Sequence, residues 1–301
     1  MPKLPWTGVF PAVTTQFHQD QSLDLAATAA HCETLIASGV AGIIVGGSLG
    51  ENQTLEPHEK RELVSEIVKT AAGRVPVLSG VAETSTDAAC RFVRDCDRLG
   101  ASGYMVMPAM IYKADANEAI THFRQVVAAT SNPWMLYNNP VGYPIDITPT
   151  QFADLADIPN LVALKESSAN TRRITELRIA VGERYAIFVG VDDLILEAAV
   201  LGIDGWVAGS GIAFPKENQY FWELTRAGKW DEARAMYRWF YPLMKLDTHV
   251  KFVQYIKLAV QEVGLGKEYV RAPRLTLTGA ERESVLAIIR QGIANRPNLK
   301  S

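Results

Sequence analysis

Leu161-Val162-Ala163-Leu164-Lys165-Glu166-Ser167-Ser168 sets the reading of the fold. Four consecutive apolar residues ending at a polar turn read as a buried strand over 161–164. Helical spacing of apolar residues over 171–181 follows, and Ala186-Ile187-Phe188-Val189 is a second short apolar run, so the unit is strand, helix, strand. The same unit recurs in both directions. Upstream, strands are expected over 9–17, 40–45, 75–79, 104–107 and 134–137. Helices are expected between them over 24–38, 57–72, 86–99, 117–130 and 150–156, with Gly39 as a stop and Pro57 in a first turn. Downstream come a helix over 193–201, a strand over 205–207 and a helix over 215–227. Eight such units in roughly 230 residues match the parallel α/β architecture of the (β/α)8 TIM barrel. An open doubly wound sheet is the alternative, but Gly46-Gly47-Ser48-Leu49-Gly50 is neither GxGxxG nor a Walker A sequence. Further helices over 230–246, 250–263 and 279–294 form a C-terminal helical appendix expected on the outside of the barrel. No linker composition separates them, so 1–228 (barrel) and 229–301 (C-terminal helices) read as one domain.

Composition bounds the function. The chain has 301 residues, 48% apolar and 21% charged, and lacks the run of about eighteen apolar residues that a membrane helix needs. With 30 basic and 33 acidic residues interspersed and a formal net charge of -3, no basic face is available for nucleic acid. Cys32, Cys90 and Cys96 include no CxxC pair, which fits reduced thiols in a cytoplasmic protein. His18, His31, His58, His122 and His249 show neither HxH nor HExxH spacing, so no metal site is expected. The first residues carry no long apolar segment of the secretory kind.

In a (β/α)8 barrel the loops after the strands converge on one face. That rule gathers the chemistry-bearing residues of this chain. Lys165 ends strand six: it either snorkels to solvent or pairs with Glu166, or, partly dehydrated, it supplies a neutral amine that attacks a carbonyl carbon to form a Schiff base. Tyr137 ends strand five and either packs its ring in the mouth or relays protons. The turn at Gly47-Ser48-Leu49 is either an ordinary βα turn or a set of N–H and hydroxyl donors suited to a carboxylate. Asn139, Gly190 and Ser210, after strands five, seven and eight, are further candidates for substrate contact. Glu51, Asp192 and Asp193 precede helices and read as capping or dipole carboxylates.

Four motifs then occur in order: GGSLGEN at 46–52, YNNP at 137–140, LKESS at 164–168 and FVGVDD at 188–193. In combination they resemble the dihydrodipicolinate synthase and N-acetylneuraminate lyase family of class I aldolases, from Trp6 to the C-terminal helices. The resemblance implies that Lys165 forms a Schiff base with a 2-oxo acid, that Tyr137 relays protons, and that the Gly47-Ser48-Leu49 turn holds the carboxylate; in the mechanism expected here Ser48 is the other candidate, beside Tyr137, for the proton transfers. It implies no cofactor, a small-molecule 2-oxo acid or cyclic imine as partner, and a homotetramer. Departures from the synthase pattern are Ser48-Leu49 for two threonines, Ala109-Met110 for an aromatic pair, and Gly142 for an arginine, which argue against a role in lysine biosynthesis.

Within the family the chain is most similar to the 1-pyrroline-4-hydroxy-2-carboxylate deaminases of hydroxyproline degradation. The matching pieces include Trp6-Thr7-Gly8, Met105-Val106-Met107-Pro108-Ala109, Thr171-Arg172-Arg173 and Ala213-Phe214-Pro215-Lys216-Glu217. That resemblance implies deamination and dehydration of the cyclic imine to 2,5-dioxopentanoate. An aldolase or dehydratase of 2-keto-3-deoxy sugar acids, and a noncatalytic barrel that binds a 2-oxo acid, are the other readings.

Overall fold

The computed structural model describes residues 6–108 and 112–299. Strands and helices alternate: β1 (Gly8–Val9), α1 (Leu25–Ala37), β2 (Ile43–Val45), α2 (Pro57–Ala71), β3 (Val77–Val81), α3 (Thr86–Arg98), β4 (Gly103–Val106) and α4 (Ala116–Val127). The pattern continues through β5 (Trp134–Asn138), α5 (Pro149–Asp154), β6 (Leu161–Glu166), α6 (Arg172–Val181), β7 (Ala186–Val189), α7 (Ile195–Val200), β8 (Gly205–Trp206) and α8 (Pro215–Arg226). All strand pairs are parallel, in the order β1-β8-β7-β6-β5-β4-β3-β2. A parallel bridge from Ala12 to Ile44 joins the two ends of that order, with Ile44 N–H donating to Pro11 O at 3.0 Å and Val13 N–H to Ile44 O at 2.9 Å. The sheet is therefore a closed TIM barrel. Its interior is apolar: the fully buried rings of Phe10 and Phe188 meet edge to face at 5.4 Å. Among the described residues no helix is long and apolar enough to cross a membrane.

Three boundaries differ from expectation in ways that bear on the site. Regular pairing in the first strand covers Gly8–Val9 rather than 9–17. Pro11 has no N–H to give the β2 side of the ladder, so pairing beyond it is reduced to the single bridge at Ala12. Strand six runs on to Glu166, which places Lys165 inside the strand rather than in its loop. Finally, the C-terminal helices α9 (Trp230–Met244), α10 (Phe252–Glu262) and α11 (Gly279–Ala294) do more than coat the outside. The 3-10 turn Lys245–Thr248 and the segment 273–278 reach across the strands' C-terminal ends and wall the mouth of the barrel.

Candidate active site

Lys165 and Tyr137 are neighbours because β5 and β6 pair in register, Tyr137 opposite Lys165 and Asn138 opposite Glu166. Side chains alternate across a strand. Lys165 and Tyr137 accordingly face the cavity, whereas Glu166 and Asn138 face the helices and bond each other, Asn138 Nδ2 donating to Glu166 Oε2 at 3.1 Å. That alternation removes the reading in which Lys165 pairs with Glu166. Instead, Lys165 Nζ lies 4.0 Å from the centroid of the Tyr137 ring.

Only 7% of Lys165 is exposed, and burial pulls its ammonium down from the usual lysine range to about 8, although the nearby Asp247 and Asp192 carboxyl groups act in the opposite direction. The ring of Tyr137 also favours the cation, by about 1–2 kcal/mol for such a contact, but desolvation of a buried amine outweighs it. About a tenth of the lysine is then neutral at pH 7, which suits a nucleophile. We expect kcat/KM for a 2-oxo acid to rise about tenfold per pH unit up to about 8 and to level off above. A profile flat from pH 6 to 9 would show that the amine does not titrate in this range.

Tyr137 is buried, and its phenol is pushed up to about 12 by that burial, with the Asn139 hydrogen bond opposing. The phenol therefore holds its proton at pH 7. Asn139 Nδ2 donates to Tyr137 Oη at 2.8 Å, while its Oδ1 accepts from Gly142 N–H at 2.9 Å. Asn139 thus orients the tyrosine as well as lining the cavity.

Gly47, Ser48 and Leu49 form the opposite wall, in the turn after β2. The backbone N–H groups of Ser48 and Leu49 are used by no other described residue and remain available to an anion. From below, Asn52 Nδ2 grips Gly46 O at 2.6 Å. Ser48 Oγ meets the hydroxyl of Tyr143, whose ring stands at 90° to that of Tyr137 with centroids 5.8 Å apart. Gly190 is required by space: a Cβ there would come within 2.3 Å of both Lys165 Cε and Ser167 Oγ.

Ser210 behaves differently from its neighbours in this set. It is buried outside the cavity lining, and its Oγ and N–H donate to Asp192 Oδ2 at 2.5 and 2.6 Å. Asp192 is no helix cap; it is a buried tie that also accepts from Trp206 Nε1 at 2.9 Å and Gly209 N–H at 3.1 Å. Asp193 pairs with Lys245 at 3.1 Å. Glu51 does not cap α2, a job done by Glu56 with Glu59; its carboxylate is fully buried against Lys257. The Ala109-Met110 comparison falls outside the described residues.

The cavity holds about 1580 Å³ and its far wall comes from the tail, including Asp247 and Arg274. Neither was found by sequence reasoning, nor was Tyr143. Tyr143 follows the YNNP motif closely enough to have been suspected, but the two tail residues lie in short polar breaks between helices with no periodic signal.

A buried lysine of depressed basicity, set inside a TIM barrel strand against a tyrosine and facing an anion-ready turn, defines a class I aldolase-type lyase. The family model described as the dihydrodipicolinate synthetase family matches residues 5–292. The chain is 31% identical over 281 residues to 4-hydroxy-tetrahydrodipicolinate synthase 1 of Halalkalibacterium halodurans, covering 93% of this chain and 95% of that one. Among solved structures it is similar to a dihydrodipicolinate synthase of Bacillus anthracis, with TM-score 0.91, 27% identity and coverage of 98% and 100%. It is also similar to YagE, a prophage protein of that family from E. coli K12 in complex with pyruvate, with TM-score 0.89, 25% identity and coverage of 96% and 99%. The protein belongs to the dihydrodipicolinate synthetase family.

Proposed function

We propose that the protein deaminates and dehydrates 1-pyrroline-4-hydroxy-2-carboxylate to 2,5-dioxopentanoate through a Schiff base on Lys165. The observation that carries the nucleophile is its place in β6, buried and in register with Tyr137. The preference for this substrate over the synthase reaction named for many relatives comes from the resemblance and from two cavity positions. Leu49 stands where a second hydroxyl would serve a synthase relay, and Gly142 where an arginine would take a second carboxylate.

The neutral amine attacks C2 of the cyclic imine, and transimination opens the ring, leaving a free amine on C5. The iminium nitrogen accepts electrons as C3 loses a proton, with Tyr137 and Ser48 the nearest carriers. The resulting enamine expels the C4 hydroxyl as water. Tautomerisation places an imine at C5, which water hydrolyses to an aldehyde with release of ammonia. A second water cleaves the C2 imine and returns Lys165. One water leaves and two enter, so the net reaction consumes one water and yields one ammonia. The substrate carboxylate is held at the Ser48 and Leu49 N–H groups.

Two assays test this. Borohydride reduction with pyruvate should attach the reduced adduct to the peptide bearing Lys165; an unmodified Lys165 would remove the catalytic reading. Ammonia release from the hydroxypyrroline, set beside pyruvate release from 2-keto-3-deoxy sugar acids, then chooses the substrate. No ammonia from the former would reject the deaminase.

A further inference from the structure

Three carboxylates crowd the β7–β8 side of the mouth, and two are already occupied. Asp192 accepts from Trp206, Gly209 and Ser210, and Asp193 is paired with Lys245. The third, Asp247, has no hydrogen-bond or ion-pair partner among the described residues. It comes from the tail turn Lys245–Thr248 and lies so close over Gly209 that a Cβ at that glycine would stand 2.3 Å from Asp247 Oδ1. The backbone of β8's loop is thus shaped to admit this one carboxylate to the cavity that holds Lys165.

We propose that Asp247 is the acid that protonates the departing C4 hydroxyl of the Lys165-bound substrate. The role rests on the reading under Proposed function. Its geometry follows from the strand order. The Ser48 turn on β2 lies across the barrel from Lys165 on β6, so a substrate anchored at both ends spans the mouth. Tyr137 on β5 and Asp247 above β8 then flank that line from opposite sides. Tyr137 is placed to handle the proton at C3, and Asp247 the oxygen at C4.

A carboxyl group can act as an acid at pH 7 only if it keeps its proton. Burial raises Asp247 well above the usual carboxylate range, and the neighbouring charges of Asp192 and Asp193 push the same way while Lys165 opposes them. Of the cations that line the same cavity, Lys245 is paired with Asp193, Lys251 with Glu281 and Arg274 with Glu51. The step balances: the nitrogen lone pair of the enamine re-forms the C2=N bond, the C2=C3 pair moves to C3=C4, the C4–O bond breaks, and its electron pair leaves with the oxygen, which takes the Asp247 proton and departs as water. A carboxylate then faces a re-formed iminium cation, so the two charges appear together in a low-dielectric site where their attraction is strong.

The test uses the wild-type protein and Asp247→Asn. Three readouts are taken: borohydride trapping of pyruvate on Lys165, deuterium exchange into the pyruvate methyl group, and ammonia release from the hydroxypyrroline. The variant is expected to trap and exchange, because imine and enamine formation need Lys165 and Tyr137, while ammonia release falls about 10²- to 10⁴-fold. Ammonia release equal to wild type would overturn the role of Asp247 with the deaminase reading intact. Loss of trapping and exchange as well would overturn it in favour of a structural part. If wild type itself releases no ammonia, the deaminase reading falls, and the C4 role falls with it.

Discussion

Lys165→Met is expected to lower activity about 10⁶-fold and to make the protein more stable, by about 1–3 kcal/mol at pH 7. The loss of rate follows because Lys165 is the amine that stands over the Tyr137 ring, and every covalent step of the proposed reaction passes through this nitrogen. The gain in stability follows from the same burial that creates the nucleophile. Lys165 is held at about 8 in the fold against 10.5 for a free side chain, a difference of about 3 kcal/mol in favour of the unfolded, hydrated ammonium. Methionine fills similar volume without a charge, though it forfeits the contact with the Tyr137 ring, worth about 1 kcal/mol. The sign of the pH dependence is fixed by linkage. A folded value below the unfolded one means that the unfolded chain binds more protons between about 8 and 10.5. The penalty is present in full below 8 and fades as pH rises through that window. The stability advantage of the variant should therefore be largest at pH 7 and shrink toward pH 10, as read from urea midpoints at unchanged slope. A variant less stable than wild type at pH 7 would mean that Lys165 is a structural cation.

What the amino-acid sequence disclosed and what it withheld divide along a physical line. Apolar runs such as Leu161 to Leu164 and Ala186 to Val189 announce buried parallel strands, because both faces of such strands meet core. Counting the strands brought Lys165, Tyr137 and the Ser48 turn to one end, and the register of β5 on β6 sets the first two side by side. Residues whose surroundings arise from distant chain were invisible. Glu51 reads as one more carboxylate before a helix, since nothing local tells that its partner lies 206 residues away. Asp247 sits in a polar break after α9, and its entry into the cavity depends on how the tail crosses the barrel. Ser210 was misread in the opposite sense: its loop reaches the mouth, but Asp192 uses up its hydroxyl. Even the first strand follows this division, with the apolar pattern of 9–17 legible and the gap made by Pro11 visible only once β2 lies beside it.

Lys257→Met is expected to destabilise the fold by about 3–5 kcal/mol, because it removes the close counter-ion of a buried carboxylate. Lys257 Nζ donates to Glu51 Oε1 at 2.6 Å and to Tyr269 O at 2.7 Å, with both side chains of the pair fully buried. Burial lowers Lys257 to about 8 even with Glu51 beside it, which shows how strongly the site is dehydrated. The remaining contacts of Glu51 are an N–H donated by Arg271 at 3.1 Å and the Arg274 guanidinium at 3.7 Å, which is part-exposed. The first carries no net charge, and the second is longer and part-exposed, so together they offset only part of the loss. Since Glu51 follows directly on the Ser48 turn and adopts a left-handed backbone, loss of its anchor loosens the turn proposed to hold the substrate carboxylate. The variant should therefore show a raised KM with a smaller change in kcat, the pattern of lost ground-state binding. Glu51→Leu combined with Lys257→Met should recover part of the stability, because an apolar pair of similar volume avoids the desolvation of two ions. It should not recover KM, because the ties from Glu51 to Arg271 and Arg274 go with the carboxylate. Urea midpoints and initial rates on the single and double variants decide it: a loss below about 1 kcal/mol in the single variant would show that water reaches Glu51 and that the tail does not hold the site in place.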